Sequence, residues 1–213
     1  MEGLYKEYHG EYMCGKYVDQ ILREYYPDFA YKGVFFDVGA FEPIRISNSH
    51  HFYMNGWNVY SFEANPNLIE ELKKHRQNVY NYAIYDEDKD EIEFNVVNDG
   101  NWTAGFSAIE LSKDYETIFP CATKTISKIK VPQKTLNTII NTEIPDLTSI
   151  DIMSIDIEGG ELKCLKGFDL NRFSPKVMVI ENVTNDINIK NYLEERGYRL
   201  DKQYAYNQFY IKV

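Results

Sequence analysis

Four short apolar runs in this chain each end in a carboxylate: "VFFDVGA" at Asp37, "VYSFEA" at Glu63, "IMSIDIEGGE" at Asp156 and Glu158, and "VMVIEN" at Glu181. Runs that are apolar on both faces belong to buried parallel strands, because a strand with one wet face alternates instead. Helical patterns lie between them. "SNSHHFYMNG" is closed by Gly56, "NPNLIEELKKHRQ" is opened by Asn65 and Pro66, "GELKCLKGF" follows the third acid, and "INIKNYLEERG" is closed by Gly197. Asn65 can cap the first free amides of its helix, and Pro66 fits a first turn that needs no N–H. A further strand is read at "NVYNYAIYD". Strand–helix repetition of this kind specifies an α/β protein with a mostly parallel sheet and helices on both faces. The chain finishes "YRLDKQYAYNQFYIKV", two strands joined by a few residues, which predicts an antiparallel C-terminal hairpin at the sheet edge and seven strands in all. Ligands of such sheets bind beyond the carboxyl ends of the strands, which is where every one of these acids stands.

The 213 residues suit one domain over 1–213. Tyr17, Val18, Ile21, Leu22 and Tyr25 recur at helical spacing, so a helix is expected from Tyr12 to Tyr26 within an N-terminal extension over 1–30. Residues 98–128 carry Gly, Ser, Thr and Asn without periodicity and read as an irregular insertion over the sheet, a candidate lid that would carry acceptor specificity. "DEIEFNVV" before it alternates as a strand, and "IKVPQKTLNTII" after it reads as a strand followed by a short helix.

A formal charge of −10 with no basic stripe argues against a nucleic-acid backbone as partner. The cluster Lys73, Lys74, His75 and Arg76 follows Glu70 and Glu71 and reads as a solvated helix face. Three widely spaced cysteines, Cys14, Cys121 and Cys164, suggest a reducing compartment. The polar first residues show no signal peptide and the apolar runs are too short to span a bilayer, so the expectation is a cytoplasmic protein without membrane contact. Self-association into a homo-oligomer is left open.

At Asp37 and Gly39 the glycine can let the backbone approach a ligand while the acid fixes the loop or meets a cation; a helix-capping Asp is the plain alternative. Glu63 can accept hydrogen bonds from both hydroxyls of a ribose. Asn65 and Pro66 already account for the helix start, which leaves Glu63 without a capping duty; the alternative is a surface glutamate. Ala83 and Ile84 would lie beside a bound adenine, although taken alone they read more simply as an ordinary strand end. Asp156 and Glu158 flank Ile157, and alternation would put both acids on one side with Ile157 in the core. Two carboxylates so close raise one another's pKa or share a cation, which suits proton abstraction or metal binding. Glu161 begins the following helix. Glu181 and Asn182 could join Asp156 as oxygen ligands of a magnesium-like ion; a polar strand end facing solvent is the alternative. His50, beside His51, Ser47 and Asn48, is a further candidate base; a helix face with one histidine inside and one outside is the alternative. No P-loop lysine, Ser-His-Asp order or His/Cys metal cluster is present.

With these residues assembled, the chain resembles the FkbM family of S-adenosylmethionine-dependent methyltransferases. The resemblance rests on "FFDVGA", "SFEANP", "KVPQKTLNTII" and "IDIMSIDIEGGELKCLKGF", which follow the family patterns D-x-G-A, E-P-x-P, V-P-x-x-T-L-D and I-D-x-x-K-I-D-x-E-G-x-E across residues 34–182. "SNSHHFYMNGW" is similar to a subfamily pattern between the first two. The resemblance implies a Rossmann-like methyltransferase fold, S-adenosylmethionine as cofactor, and O-methylation of a hydroxyl on a sugar, glycan or other small-molecule acceptor. It also implies the roles. Asp37, Gly39 and Ala40 would form the methionine-side loop, Glu63 would hold the ribose and Ala83 would sit near the adenine, with Asp156, Glu158 and Glu161 lining the acceptor site. A related group of sugar O-methyltransferases binds magnesium through acids at similar strand ends. Ser154 stands where the family has lysine, Asn137 where it has aspartate, and Phe41 and Pro43 make the first loop bulkier. On the residues themselves, Glu158 is the base candidate and Asp156 the positioning group. The alternative class is a non-catalytic or degenerate S-adenosylmethionine-binding domain; a nicotinamide dehydrogenase lacks its Gly-x-Gly-x-x-Gly here.

Overall fold

The computed structural model describes residues 4–97, 105, 107–109, 117–118, 120 and 126–213. The chain begins with a two-residue hairpin, β1 (Tyr12–Met13) and β2 (Lys16–Tyr17), and then α1 (Val18–Tyr25). The helix expected from Tyr12 therefore starts later. Cys14 and Gly15 adopt φ of 49° and 92°, a left-handed turn that no right-handed helix can contain. From Val18 onward the helical spacing holds, and Val18, Ile21 and Leu22 are buried.

There follow β3 (Val34–Val38), α2 (His50–Met54), β4 (Asn58–Phe62), α3 (Pro66–His75), β5 (Asn78–Tyr80), β6 (Ala83–Ile84), β7 (Lys89–Val97) and β8 (Ile126–Lys134). The chain continues through α4 (Leu136–Glu143), β9 (Ile152–Ile155), α5 (Glu161–Lys166), α6 (Leu170–Phe173), β10 (Val177–Glu181) and α7 (Ile187–Glu194). It closes with β11 (Tyr198–Tyr204) and β12 (Asn207–Lys212). Asn65 caps α3 as its sequence implies, accepting from the Asn67 amide at 3.1 Å with Pro66 at the first position.

The seven-stranded sheet runs β5-β4-β3-β9-β10-β12-β11. β5, β4, β3, β9 and β10 are mutually parallel, β12 is antiparallel to β10, and β11 is antiparallel to β12 at the edge. Successive residues of each inner strand feed opposite layers. Phe35, Ile152, Val177 and Val179 pack with α1 and α2 through Ile21, Leu22 and Phe52. Phe36, Met153, Met178 and Ile180 pack on the other face with α4, α5 and α7 through Leu136, Ile140, Leu165 and Leu193. The order of strands reverses between β3 and β9, so the loops after these two diverge and leave a crevice at their carboxyl ends.

The strand expected over "NVYNYAIYD" is divided. Residues 78–80 pair with β4, whereas Ala83 and Ile84 pair with Gln133 and Lys134 in a second sheet, β6-β8-β7. Asn81 makes the break: its side-chain amide donates to the Glu63 and Ala64 carbonyls at 2.8 and 3.0 Å, which turns the chain away from the main sheet. Most of the expected insertion over 98–128, Cys121 included, lies outside the described residues; within it Ala108 exchanges backbone hydrogen bonds with Asn95 of β7. Among the described residues no helix is long and apolar enough to cross a membrane.

Candidate active site

Gly39 follows β3 directly with φ of 85°, and a Cβ there would stand 1.7 Å from the Asp156 carbonyl oxygen. The glycine is required because two backbones meet at the crevice, not only for approach to a ligand. The amides of Gly39 and Ala40 both donate to the Phe62 carbonyl, at 2.9 and 3.1 Å. Asp37 lies buried below this turn, accepts from Ser49 Oγ at 2.5 Å, and has its carboxyl pushed up to about 6 by burial against the opposing pull of Ser49 and Arg76.

Arg76 acts on Asp37 through space, without an ion pair between them. It is buried rather than on a solvated face, its guanidinium 4.6 Å from the Tyr53 ring centroid and donating to the Pro43 carbonyl. Nothing in "KKHRQ" separates it from its exposed lysine neighbours. It lies just past the end of α3, in extended backbone (ψ 142°), so it leaves the face they share.

Glu63 is buried and does have a structural duty, contrary to the expectation. Its Oε2 accepts from the Phe41 amide at 2.9 Å and its Oε1 from the Asn65 amide at 2.7 Å. It thereby ties the loop after β3 to the loop after β4, and burial still pushes its carboxyl above the ordinary range. The Asn65, Phe41 and Ala64 amides all favour its charged form against that burial.

Asp156, Glu158 and Glu181 each bring a carboxylate oxygen within 4.8 Å of the others. The grouping does not arise from strand alternation, since β9 ends at Ile155. Glu158 has φ of 59° and Gly159 of 100°, so a left-handed turn swings Glu158 back beside Asp156, with Ile157 lining the neighbouring cavity instead of lying wholly in the core. Glu161 fixes this turn from the start of α5, its Oε1 accepting from the Ile157 and Gly159 amides at 3.2 and 3.0 Å. Burial, reinforced by Glu11, pushes Asp156 up to about 7. Burial and the neighbouring carboxylates hold Glu181 well above the ordinary range, and its hydrogen bond with Asp156 raises it further while drawing Asp156 down. Burial, Glu161 and Glu11 raise Glu158 likewise.

Asn182 does not join this group. Its Oδ1 accepts from the Asp186 amide at 2.7 Å and its Nδ2 donates to the Asp186 carbonyl and Gln208 Oε1, each at 3.1 Å, so Glu158 takes the place expected of it. Nor does His50 reach the cleft. Both histidines of α2 are buried, against the one-in, one-out alternative; His50 packs edge-on to Tyr5 and His9, and burial holds its imidazole down at about 4. Of the family departures, Ser154 accepts from Asn48 Nδ2 at 3.1 Å between Asp37 and Val179, and Asn137 Oδ1 accepts from the Asp169 amide at 2.9 Å.

Two cavities meet over these residues. The first, about 540 Å³ including space open to solvent, lies between Glu63, Leu68, Ala83, Ile84, Phe94 and the loop after β3. The second, about 760 Å³, is lined by Glu11, Asp37, Asp156, Glu158 and Glu181, with no basic side chain among the described residues. Gly39, Phe41, Gly105, Asp156 and Glu158 line both. Glu11 was invisible to sequence reasoning. It stands in a polar N-terminal stretch, and its partner, Asn207 Nδ2 at 3.0 Å, is 196 residues away.

Sheet order, switch point and carboxyl-end cleft are those of a Rossmann-like methyltransferase. The chain belongs to the FkbM methyltransferase family: the Methyltransferase FkbM domain matches residues 37–200. In fold it is similar to the methyltransferase FkbM of Methylobacillus flagellatus KT, with 15% identity and a TM-score of 0.50, covering 84% of this chain and 43% of that one. The chain thus spans less than half the length of that protein. Weaker likenesses are to the precorrin-6y C5,15-methyltransferase of Geobacter metallireducens GS-15, with 16% identity and a TM-score of 0.43 over 91% of this chain and 89% of that one. Another is to the Pyrococcus abyssi tRNA (uracil-54, C5)-methyltransferase in complex with S-adenosyl-L-homocysteine, with 12% identity and a TM-score of 0.41 over 95% and 39%. No curated protein sequence matches the chain.

Proposed function

We propose that this chain transfers a methyl group from S-adenosylmethionine to a hydroxyl of a sugar, glycan or other small acceptor. The observation that carries the reading is the meeting of an apolar cavity and an acidic one at Asp156 and Glu158. The first cavity fits a nucleoside: Ala83 and Ile84 offer an apolar wall for adenine, and the Glu63 carboxylate lines the same cavity where it can accept from ribose hydroxyls. Asp37, Gly39 and Ala40 form the second cavity's wall on the methionine side. When bound, S-adenosylmethionine supplies an activated methyl on a cationic sulfur.

The protein's own residues then have two tasks. They hold the acceptor oxygen in line with the methyl, which can lower the barrier by several kcal/mol, and they take up the hydroxyl proton. Glu158 is the base: desolvation and neighbouring carboxylates raise its carboxyl well above the ordinary range, which makes it a stronger proton acceptor than an exposed carboxylate. Asp156 orients the acceptor hydroxyl, and its hydrogen bond with Glu181 holds it in place. His50 has no part. Asp156, Glu158 and Glu181 are also hard oxygen donors of the kind magnesium takes. A bound ion would draw the acceptor hydroxyl toward its ionised form.

The test is release of S-adenosylhomocysteine with a panel of sugar and other hydroxyl acceptors, with and without magnesium. Glu158→Gln should slow turnover by ~10²–10⁴-fold on any acceptor found while leaving S-adenosylmethionine affinity within a few-fold. Full turnover in both Glu158→Gln and Asp156→Asn contradicts the assignment. Binding of S-adenosylmethionine with no acceptor methylated favours the non-catalytic alternative.

A further inference from the structure

Three side chains line both cavities among the described residues, Asp156, Glu158 and Phe41, and only Phe41 is aromatic. A methyl that leaves a nucleoside in the first cavity for an acceptor in the second must start where the two meet, and its sulfonium must stand there. We infer that the Phe41 ring is a recognition face for that sulfonium, a positioning residue that favours the charged methyl donor over its neutral, demethylated product. The inference rests on the methyl-transfer reading above and adds to it a residue outside the family's patterns.

Three observations carry it. Phe41 adopts φ of 46°, a left-handed conformation rare for a bulky side chain. Such conformations persist where surrounding contacts over-determine them, and they cluster at ligand sites. The contacts here are identifiable: the Phe41 amide donates to Glu63 Oε2 at 2.9 Å, so the carboxylate assigned to the ribose also sets the backbone that aims the ring. The ring's position, finally, is half-buried rather than packed away, with the Gly105 backbone close on one side; a Cβ on Gly105 would lie 3.9 Å from the ring edge. A half-exposed aromatic face at the junction of a cleft is a surface for a poorly hydrated cation, as aromatic cages are for quaternary ammonium groups. Asp156 and Glu158 supply net charge at the same junction, but a carboxylate attracts any cation, whereas the ring favours one wrapped in carbon.

Calorimetry with S-adenosylmethionine and S-adenosylhomocysteine separates the possibilities, because the two ligands differ at the sulfur and its methyl. In Phe41→Leu, which keeps apolar bulk, the affinity ratio of S-adenosylmethionine to S-adenosylhomocysteine should fall by about three- to tenfold relative to wild type. Phe41→Tyr, which keeps the ring, should retain the wild-type ratio, and it carries the test if the leucine variant does not fold. An equal loss of both affinities in Phe41→Leu, or a fallen ratio in Phe41→Tyr, overturns the inference. Failure of wild type to bind either ligand instead overturns the cofactor reading on which it rests.

Discussion

A methyl group on residue 39 would have nowhere to go, since its carbon would lie 1.7 Å from the Asp156 carbonyl oxygen. Gly39→Ala must therefore push β3 and β9 apart at their carboxyl ends or abandon φ of 85°, and either costs more than about 2 kcal/mol. Urea denaturation should show that loss; a midpoint equal to wild type would mean that the two backbones are not so closely joined. At this scale the positions of the acids were legible, because a carboxylate after an apolar strand is conspicuous. Their duties were less so. Glu63 and Glu161 hold backbone amides of loops that the sequence does not show to be adjacent. Arg76 looked like its exposed lysine neighbours, and Asn182 looked like a ligand until its side chain was seen to be spent on Asp186 and Gln208.

Between elements, the contact with the clearest thermodynamic signature joins the ends of β9 and β10. Asp156, pushed up to about 7, and Glu181, held higher than an ordinary carboxyl, bind protons more tightly folded than unfolded. The stability they contribute is present in full below about pH 4, the unfolded carboxylate range, and is lost as pH rises from there through their folded values, the loss for Asp156 being complete once pH passes about 7. His50 and His51 act oppositely: held down at about 4, they add stability as pH rises from there to the unfolded imidazole value near 6.5. The difference between wild type and Glu181→Gln removes the histidine contribution. In the ligand-free protein wild type should lose stability relative to Glu181→Gln as pH is raised from 4 to 8, followed by thermal melting; a difference constant with pH would contradict the shared proton. The strands and the terminal hairpin were legible from hydrophobic period alone. The division of β5 from β6 was not, because it depends on Asn81 reaching the carbonyls of Glu63 and Ala64. The late start of α1 was visible only as "CG", a pair that permits a left-handed turn without requiring one.

For the whole molecule, the β5-β4-β3-β9-β10-β12-β11 order puts the acids of β3, β4, β9 and β10 along one edge of the sheet. Strand–helix alternation predicted that edge, and the acids marked it. What the alternation could not supply was the N-terminal segment that brings Glu11 to the acidic cavity, since a single contact between Glu11 and Asn207 bridges nearly the whole chain. The central claim is that the apolar cavity is a nucleoside site whose ribose acid is Glu63. Isothermal calorimetry with S-adenosylmethionine on wild type and Glu63→Ala tests it most directly. The account predicts one site in wild type and an affinity at least about tenfold weaker in the variant, from the loss of hydrogen bonds to a charged acceptor. No binding of S-adenosylmethionine or S-adenosylhomocysteine to wild type, or binding that Glu63→Ala leaves unchanged, would contradict it.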